Sequence, residues 1–162
     1  MKAKRILISL GGNALGTDPV PLVETARTVA EPLAELISNG YEVVLCQGNG
    51  PQVGMIKVGL DGGRTPEGKT PVPMADCVAM SQSYMGHHIQ NQLENELRRK
   101  GSDKTVVTVV SRCLVDPEDP GFSNPTKPIG AFLSEEEGRK LAALGKTVVE
   151  DSGRGYREEV AS

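Results

Sequence analysis

Residues 4–15 read KRILISLGGNAL, and residues 41–54 read YEVVLCQGNGPQVG. Each stretch is a short apolar run that breaks at a glycine-rich turn, as a buried strand bounded by turn signals does. The first run, 4–10, is apolar almost without interruption, so it is expected to be buried on both faces, like a strand inside a parallel sheet. Between the two runs, Leu22, Ala26, Val29, Leu33, Leu36 and Ile37 recur at spacings of three and four. That pattern predicts a helix over 21–39 stopping at Asn39-Gly40. Pro32 falls inside it and is expected to kink or loosen the helix. Strand, crossover helix and strand in this order imply a parallel pair and an α/β layer architecture.

After the second glycine turn, Pro51 stands where a helix begins, and 51–60 is a short helix candidate. Residues 61–73 (DGGRTPEGKTPVP) are rich in Gly, Pro and charge and read as a loop. A long helix fits 76–100, with Asp76 as N-cap and Met85, Ile89, Leu93 and Leu97 as an apolar stripe at steps of four. Arg98, Arg99 and Lys100 suit its negative C-terminal end, and Gly101 stops it. TVVTVV (105–110) reads as a central strand of β-branched residues. The next stretch, 115–132, carries prolines at 117, 120, 125 and 128, which forbid a helix and make a stiff, extended excursion. Ser134 followed by three glutamates starts a short helix over 134–143. KTVVED (146–151) is a short strand, and 153–162 reads as a polar tail.

Composition narrows the classes. The 162 residues hold 18 Lys plus Arg against 21 Asp plus Glu, a net charge of −3, whereas a protein that coats nucleic acid is basic. Aromatic residues are 3% and Trp is absent, which argues against base-stacking platforms. No apolar run approaches the ~20 residues that span a bilayer, and the N-terminus lacks the pattern of a signal peptide. The expectation is therefore no nucleic acid and no membrane. Three cysteines, Cys46, Cys77 and Cys113, cannot all pair with one another and suit a reducing cytoplasm.

Two loops carry the first candidates for chemistry. Gly11, Gly12 and Asn13 follow the first run, and Gly48, Asn49, Gly50 and Gln52 follow the second. Glycines let backbone N–H groups approach an anion without a Cβ in the way, and a following helix N-terminus adds positive potential. The same residues also make ordinary tight strand-to-helix turns. Two such loops at the carboxyl ends of adjacent parallel strands would face one crevice, a site for a phosphate or carboxylate. The G-x-G-x-x-G spacing of a dinucleotide site is absent. Lys127, between Pro125 and Pro128, is a cation on a stiff tether that could neutralise developing phosphoryl charge, or simply a solvated lysine. Arg154 and Arg157 are candidate anion contacts. His87 and His88 are adjacent and point apart on a helix, so no metal ligand set is read. Asp116 and Asp119 flank a proline turn and read as turn formers. Ser9 and Ser81 have no evident base for nucleophilic work.

In order along the chain, LGGNAL (10–15), GNGPQVG (48–54), MSQSYMG (80–86), VDPEDPGF (115–122), NPTKPIG (124–130) and EDSGRGYR (150–157) resemble carbamate kinase, of the amino-acid-kinase superfamily. The resemblance implies a three-layer αβα sandwich with a mostly parallel sheet, here its first lobe only, plus a small protruding lid. It implies a lobe over 1–113, a lid over 114–150 and a return segment over 151–162. The implied activity is reversible phosphoryl transfer between ATP and carbamate, giving carbamoyl phosphate and ADP with magnesium, in a cytoplasmic dimer of arginine metabolism. Gly11, Gly12 and Asn13 would hold the transferring phosphoryl group. Gly48, Asn49, Gly50 and Gln52 would line the carbamate side, and Lys127 would reach over the site from the lid. Related kinases place a lysine where this chain has Ser9, which increases the burden on Lys127.

The chain departs from the family pattern at Gln47 (usually His), His87 (usually Tyr), Ser111-Arg112 (usually Thr-Gln) and Glu158 (usually Arg). The family's nucleotide-binding lobe lies beyond the matched strings, so the 162-residue chain alone is expected to be inactive or very weak. A homodimer mate or a second-lobe polypeptide is the expected partner. The alternative is a catalytically inactive binding or oligomerisation module derived from the same family.

Overall fold

The computed structural model describes residues 4–11, 15, 19–62 and 72–161. The chain is mixed α/β. In order it forms β1 (Lys4–Leu10), α1 (Pro19–Ser38), β2 (Tyr41–Gln47), α2 (Gly50–Gly62), α3 (Met74–Arg99), β3 (Lys127–Leu133), α4 (Glu135–Ala143), β4 (Val148–Glu150) and β5 (Tyr156–Val160). It divides into two compact units, one of Met1–Pro51 with Val78–Val110 and one of Gln52–Cys77 with Ser111–Ser162.

In the first unit β1 and β2 pair in parallel, in register from Lys4↔Tyr41 to Leu10↔Gln47. Their core face meets α1 and α3. One cluster joins Leu15, Leu22, Ala26, Met85 and Ile89 with Leu10 and Leu45 packed against it. The second joins Ala30, Leu33, Ala34, Leu93 and Leu97 with Ile8 and Val43. The four-step stripe on α3 is thus buried as its spacing predicts. The expectation that β1 is buried on both faces is corrected. Leu7 is 69% and Val44 49% exposed, because both helices lie on the face of Ile8, Leu10, Val43 and Leu45, and no described element of this unit covers the other.

Three further expectations change. α1 runs unbroken through Pro32, which sits on its exposed side, where water can bond the carbonyl that proline leaves without a donor. α3 begins at Met74, so Asp76 belongs to its first turn and is not the cap. Residues 105–110 join no ladder among the described residues. They alternate as a strand does, but against a helix: Val106 packs on the second cluster and its N–H donates to Glu94 Oε1 at 3.4 Å. Thr108 Oγ1 donates to Gln90 Oε1 at 3.0 Å, while Val107 and Val109 are about three-quarters exposed. The approach is close because α3 has Gly86 there: a Cβ at that position would lie 2.2 Å from Thr108 Cγ2.

The second unit holds an antiparallel sheet in the order β3-β5-β4. Its central strand, β5, falls in the stretch read as a polar tail. The charges that suggested a tail are neutralised in place, since Glu158 pairs with Lys146 at 2.9 Å and Arg157 with Asp151 at 3.1 Å. α4 starts in the capping box that its sequence announces. The Ser134 N–H donates to Glu137 Oε2 at 2.8 Å, and the Glu137 N–H donates to Ser134 Oγ at 3.3 Å. Asp116 and Asp119 accept from the backbone N–H groups of Glu118 and Gly121 at 2.9 and 2.7 Å, which makes them turn formers.

Gly86→Ala is expected to lower stability in denaturant unfolding by about 1–2 kcal/mol, the steric cost exceeding the helix gain of roughly 0.5–1 kcal/mol. Adding Thr108→Ser, which removes the nearest methyl, should restore much of that loss. Val107→Thr should stay within about 0.5 kcal/mol of the parent, whereas a buried central-strand position would be far less tolerant.

Candidate functional site

The parallel register decides where the two glycine loops meet. Leu10 and Gln47 are partners, so both strands end at one level, and the Gly48 N–H donates to the Leu10 carbonyl at 2.9 Å. Gly11 and Gly48 therefore open their loops side by side at the carboxyl ends of the parallel pair, where ligands bind in open α/β sheets. Gly12 and Asn13 lie outside the described residues. Leu15, fully buried, ties the far end of the first loop into the core. A Cβ built on Gly11 or on Gly50 would meet nothing within 4 Å, so the backbone there faces open space. Gly50 is also the first residue of the 13-residue helix α2, whose first-turn N–H groups lack intrahelical acceptors.

Asn49, between these glycines, is held by α3. Its Nδ2 donates to Ser81 Oγ at 2.8 Å, and the Ser81 hydroxyl donates to the Val78 carbonyl at 2.7 Å. Ser81 is fully buried, and no local sequence signal marks it as the partner of a loop residue 32 positions earlier. Gln52, in the first turn of α2, is also buried, at 2% exposure.

The second unit holds the cationic candidates. Lys127 is exposed at the start of β3, opposite Val160. Arg154 and Arg157 converge on Asp151, at 2.6 and 3.1 Å, and both guanidinium groups lie over the Phe132 ring, 5.0 and 5.2 Å from its centroid. Arg157 also donates to the Pro128 carbonyl at 3.3 Å, which braces β3 one residue beyond Lys127. The guanidinium hydrogen bonds, from Arg154 first and Arg157 second, hold the Asp151 carboxyl below the usual carboxylate range. Two motif glycines also touch here. A Cβ on Gly54 would lie 2.7 Å from Gly130 Cα, so α2 and β3 pack backbone to backbone, and Gly130 itself has φ +75°. The sequence shows both glycines but nothing that pairs them.

Of the departing residues, Gln47 ends β2, and the His87 ring nitrogen Nε2 is 3.1 Å from Asn91 Nδ2. Burial, and secondarily its neighbour His87, lowers the pKa of His88, whose ring meets Tyr84 edge-on at 5.1 Å. Among the described residues no group of three or more His, Cys, Asp or Glu could hold a metal ion.

Comparison with known proteins adds the decisive observation. The chain is 45% identical over 161 residues to the carbamate kinase-like protein YqeA of Escherichia coli K12, covering 99% of this chain and 52% of that protein. It is 46% identical over 159 residues to carbamate kinase 3 of Staphylococcus aureus USA300, covering 98% and 52%. This chain is homologous to carbamate kinases. It spans about half the length of the curated relatives it matches. No protein-family model matches it. Among solved structures, a protein of Aeropyrum pernix K1 superposes with a TM-score of 0.89 at 34% identity, covering 98% of this chain and 52% of that one. The carbamate kinase of Giardia lamblia bound to AMP-PNP superposes with a TM-score of 0.82 at 37% identity, covering 99% and 52%.

The Asp151 cluster gives a pH prediction. A carboxyl whose folded pKa is depressed contributes stability that is present above its unfolded pKa and is lost as the pH falls through the folded one. Glu137, lowered by the backbone and side-chain hydrogen bonds from Ser134, acts with the same sign. Unfolding of the second unit, followed through its single tyrosine, Tyr156, should become easier below about pH 4. Asp151→Asn should flatten that dependence, and an unchanged acid limb would refute the role given to Asp151.

Proposed function

We propose that this chain is the substrate-side half of an ATP-dependent phosphotransferase that moves a phosphoryl group reversibly between ATP and carbamate. The observation that supports it most is the adjacency of Gly11 and Gly48, joined through the Leu10 carbonyl at the carboxyl ends of a parallel pair, in a chain homologous to carbamate kinases. In this reading the lobe is 1–113, the lid 114–150 and the return segment 151–162. The remaining length of the relatives supplies the nucleotide side and the other helical layer of the sandwich.

The roles follow from chemistry. Phosphoryl transfer needs the carbamate oxygen in line with the phosphorus–oxygen bond that breaks, and charge neutralised from several sides. N–H groups of Gly11, Gly12 and Asn13 would bind the transferring phosphoryl oxygens. The loop of Gly48, Asn49 and Gly50 would orient carbamate, with Gln52 on the same substrate side. Lys127 would neutralise the developing charge, and Arg157 would hold β3 in place through Pro128 while Arg154 and Arg157 add positive potential. The described residues offer no acidic cage for magnesium, which would travel with the ATP phosphates as part of the substrate. No helix among the described residues is long and apolar enough to cross a membrane. The three unpaired thiols are compatible with the reducing cytoplasm proposed for the chain.

The uncovered sheet face carrying Leu7 and Val44, with Val107 and Val109 exposed in the same unit, favours a second reading: a binding or oligomerisation module without turnover. One experiment separates the two. The chain alone, and the chain joined to the remaining half of the Staphylococcus aureus relative, are assayed for ATP formation from carbamoyl phosphate and ADP. The joined protein should turn over and the chain alone barely. Lys127→Ala should cut turnover by about 100-fold or more, the scale of losing one charge stabiliser of the transition state. A folded joined protein without turnover would leave the binding module as the reading.

A further inference from the structure

Ser81 has no part in the chemistry assigned to the glycine loops, yet it is bonded to one of them. It is fully buried in the middle of α3, yet polar, and its hydroxyl is engaged on both sides. A hydroxyl has one proton. Here that proton goes to the Val78 carbonyl at 2.7 Å, so the group that Asn49 turns toward Ser81 at 2.8 Å must be its NH2. This settles which way the amide lies, by the hydrogen-bond network that fixes such assignments. The amide is planar, so with Nδ2 held by α3 its Oδ1 is turned away from Ser81. Among the described residues nothing donates to that oxygen. It is an acceptor on the loop between Gly48 and Gly50, next to the backbone that faces open space at Gly50.

An immobilised acceptor selects for a donor. Carbamate and acetate have the same shape and charge, and differ in carrying NH2 or CH3 on the carboxyl carbon. An oxygen fixed in this orientation can accept from the first and is left unsatisfied by the second. Were the amide free to rotate, its own NH2 could turn to the ligand and the distinction would fade. We propose that Ser81 is a positioning residue that locks the Asn49 amide with its carbonyl oxygen toward the ligand, so that the site prefers an amino-bearing carboxyl group over its methyl isostere. The selectivity rests on the function proposed above; the locking does not.

The test uses the 162-residue chain, 15N-labelled, with the Asn49 side-chain amide signals identified by their loss in Asn49→Asp. Ser81→Ala should shift those signals and speed their exchange with solvent while circular dichroism and Tm report an intact fold. Ser81→Cys, closer in volume, serves if the alanine variant unfolds. Titrations with carbamoyl phosphate and acetyl phosphate then read selectivity. The parent should prefer carbamoyl phosphate by about 10-fold or more, the scale of leaving one hydrogen-bond acceptor unsatisfied. Ser81→Ala should bring the ratio toward one, chiefly by weakening carbamoyl phosphate, and Asn49→Ala should do the same without adding to it in the double variant. Unmoved Asn49 signals in a folded Ser81 variant would overturn the locking, and a selective parent whose ratio Ser81→Ala leaves unchanged would overturn its part in selectivity. If the signals move but the parent binds neither phosphate, or both alike, the proposed function and the selectivity fall while the Ser81–Asn49 lock stands.

Discussion

The parallel pairing of β1 with β2 is the constraint on which the rest depends, and its last rung is the bond from the Gly48 N–H to the Leu10 carbonyl. A slip of one residue in that register would move Ile8, Leu10, Val43 and Leu45 off the face that α1 and α3 cover. It would also offset the two glycine loops by about 3.3 Å, the rise of one strand residue. The connection fits the task. α1, at 20 residues, is about 30 Å long at the helical rise. A seven-residue strand is about 23 Å long, so one helix with its loops returns the chain to the start of a parallel neighbour. Burial thus sets the register, and the register sets the site.

The same pairing leaves an imbalance. Parallel sheets are ordinarily covered on both faces. This pair is covered on one, and Leu7 and Val44 stand on the other, substantially exposed. The extended segment 105–110 adds Val107 and Val109, with backbone groups that no ladder satisfies among the described residues. Such a surface is the kind that a second polypeptide covers. The chain spans about half the length of its curated relatives, and both proposed readings assign a covering polypeptide to the exposed apolar surface.

How much could be read in the sequence depended on how local the cause was. The α3 stripe, the Ser134 capping box and the glycine loops were legible because each is a pattern within a few residues. The start of α3 was misplaced by two residues, since Asp76 is as acceptable in a first turn as at a cap. For 105–110 the β-branched alternation revealed an extended backbone, but which surface it lies on depends on Gly86, a residue of another element. β5 looked like a tail because three of its five residues are charged, and the partners that neutralise two of them, Asp151 and Lys146, are visible only in the folded sheet. In the site, the loops were plain and the Ser81 support was not, for a buried serine on a helix carries no pattern of its own.

That distinction bears on the departure at Glu158, where the family pattern has arginine. By charge alone the substitution places an anion beside the arginines of the 150–157 string. In the sheet, Glu158 stands opposite Ile129 and Val148, and its carboxylate is bonded to Lys146. It is therefore spent within the sheet. The anion that does touch Arg154 and Arg157 is Asp151, which lies within the string that matches the family, and two guanidinium groups sharing one carboxylate keep a net positive charge. Bracing by Arg157 at Pro128 then carries that cluster's effect to the residue beside Lys127. Glu158 therefore leaves the charge of the Asp151 cluster unchanged, and Lys127 stays exposed at the head of β3.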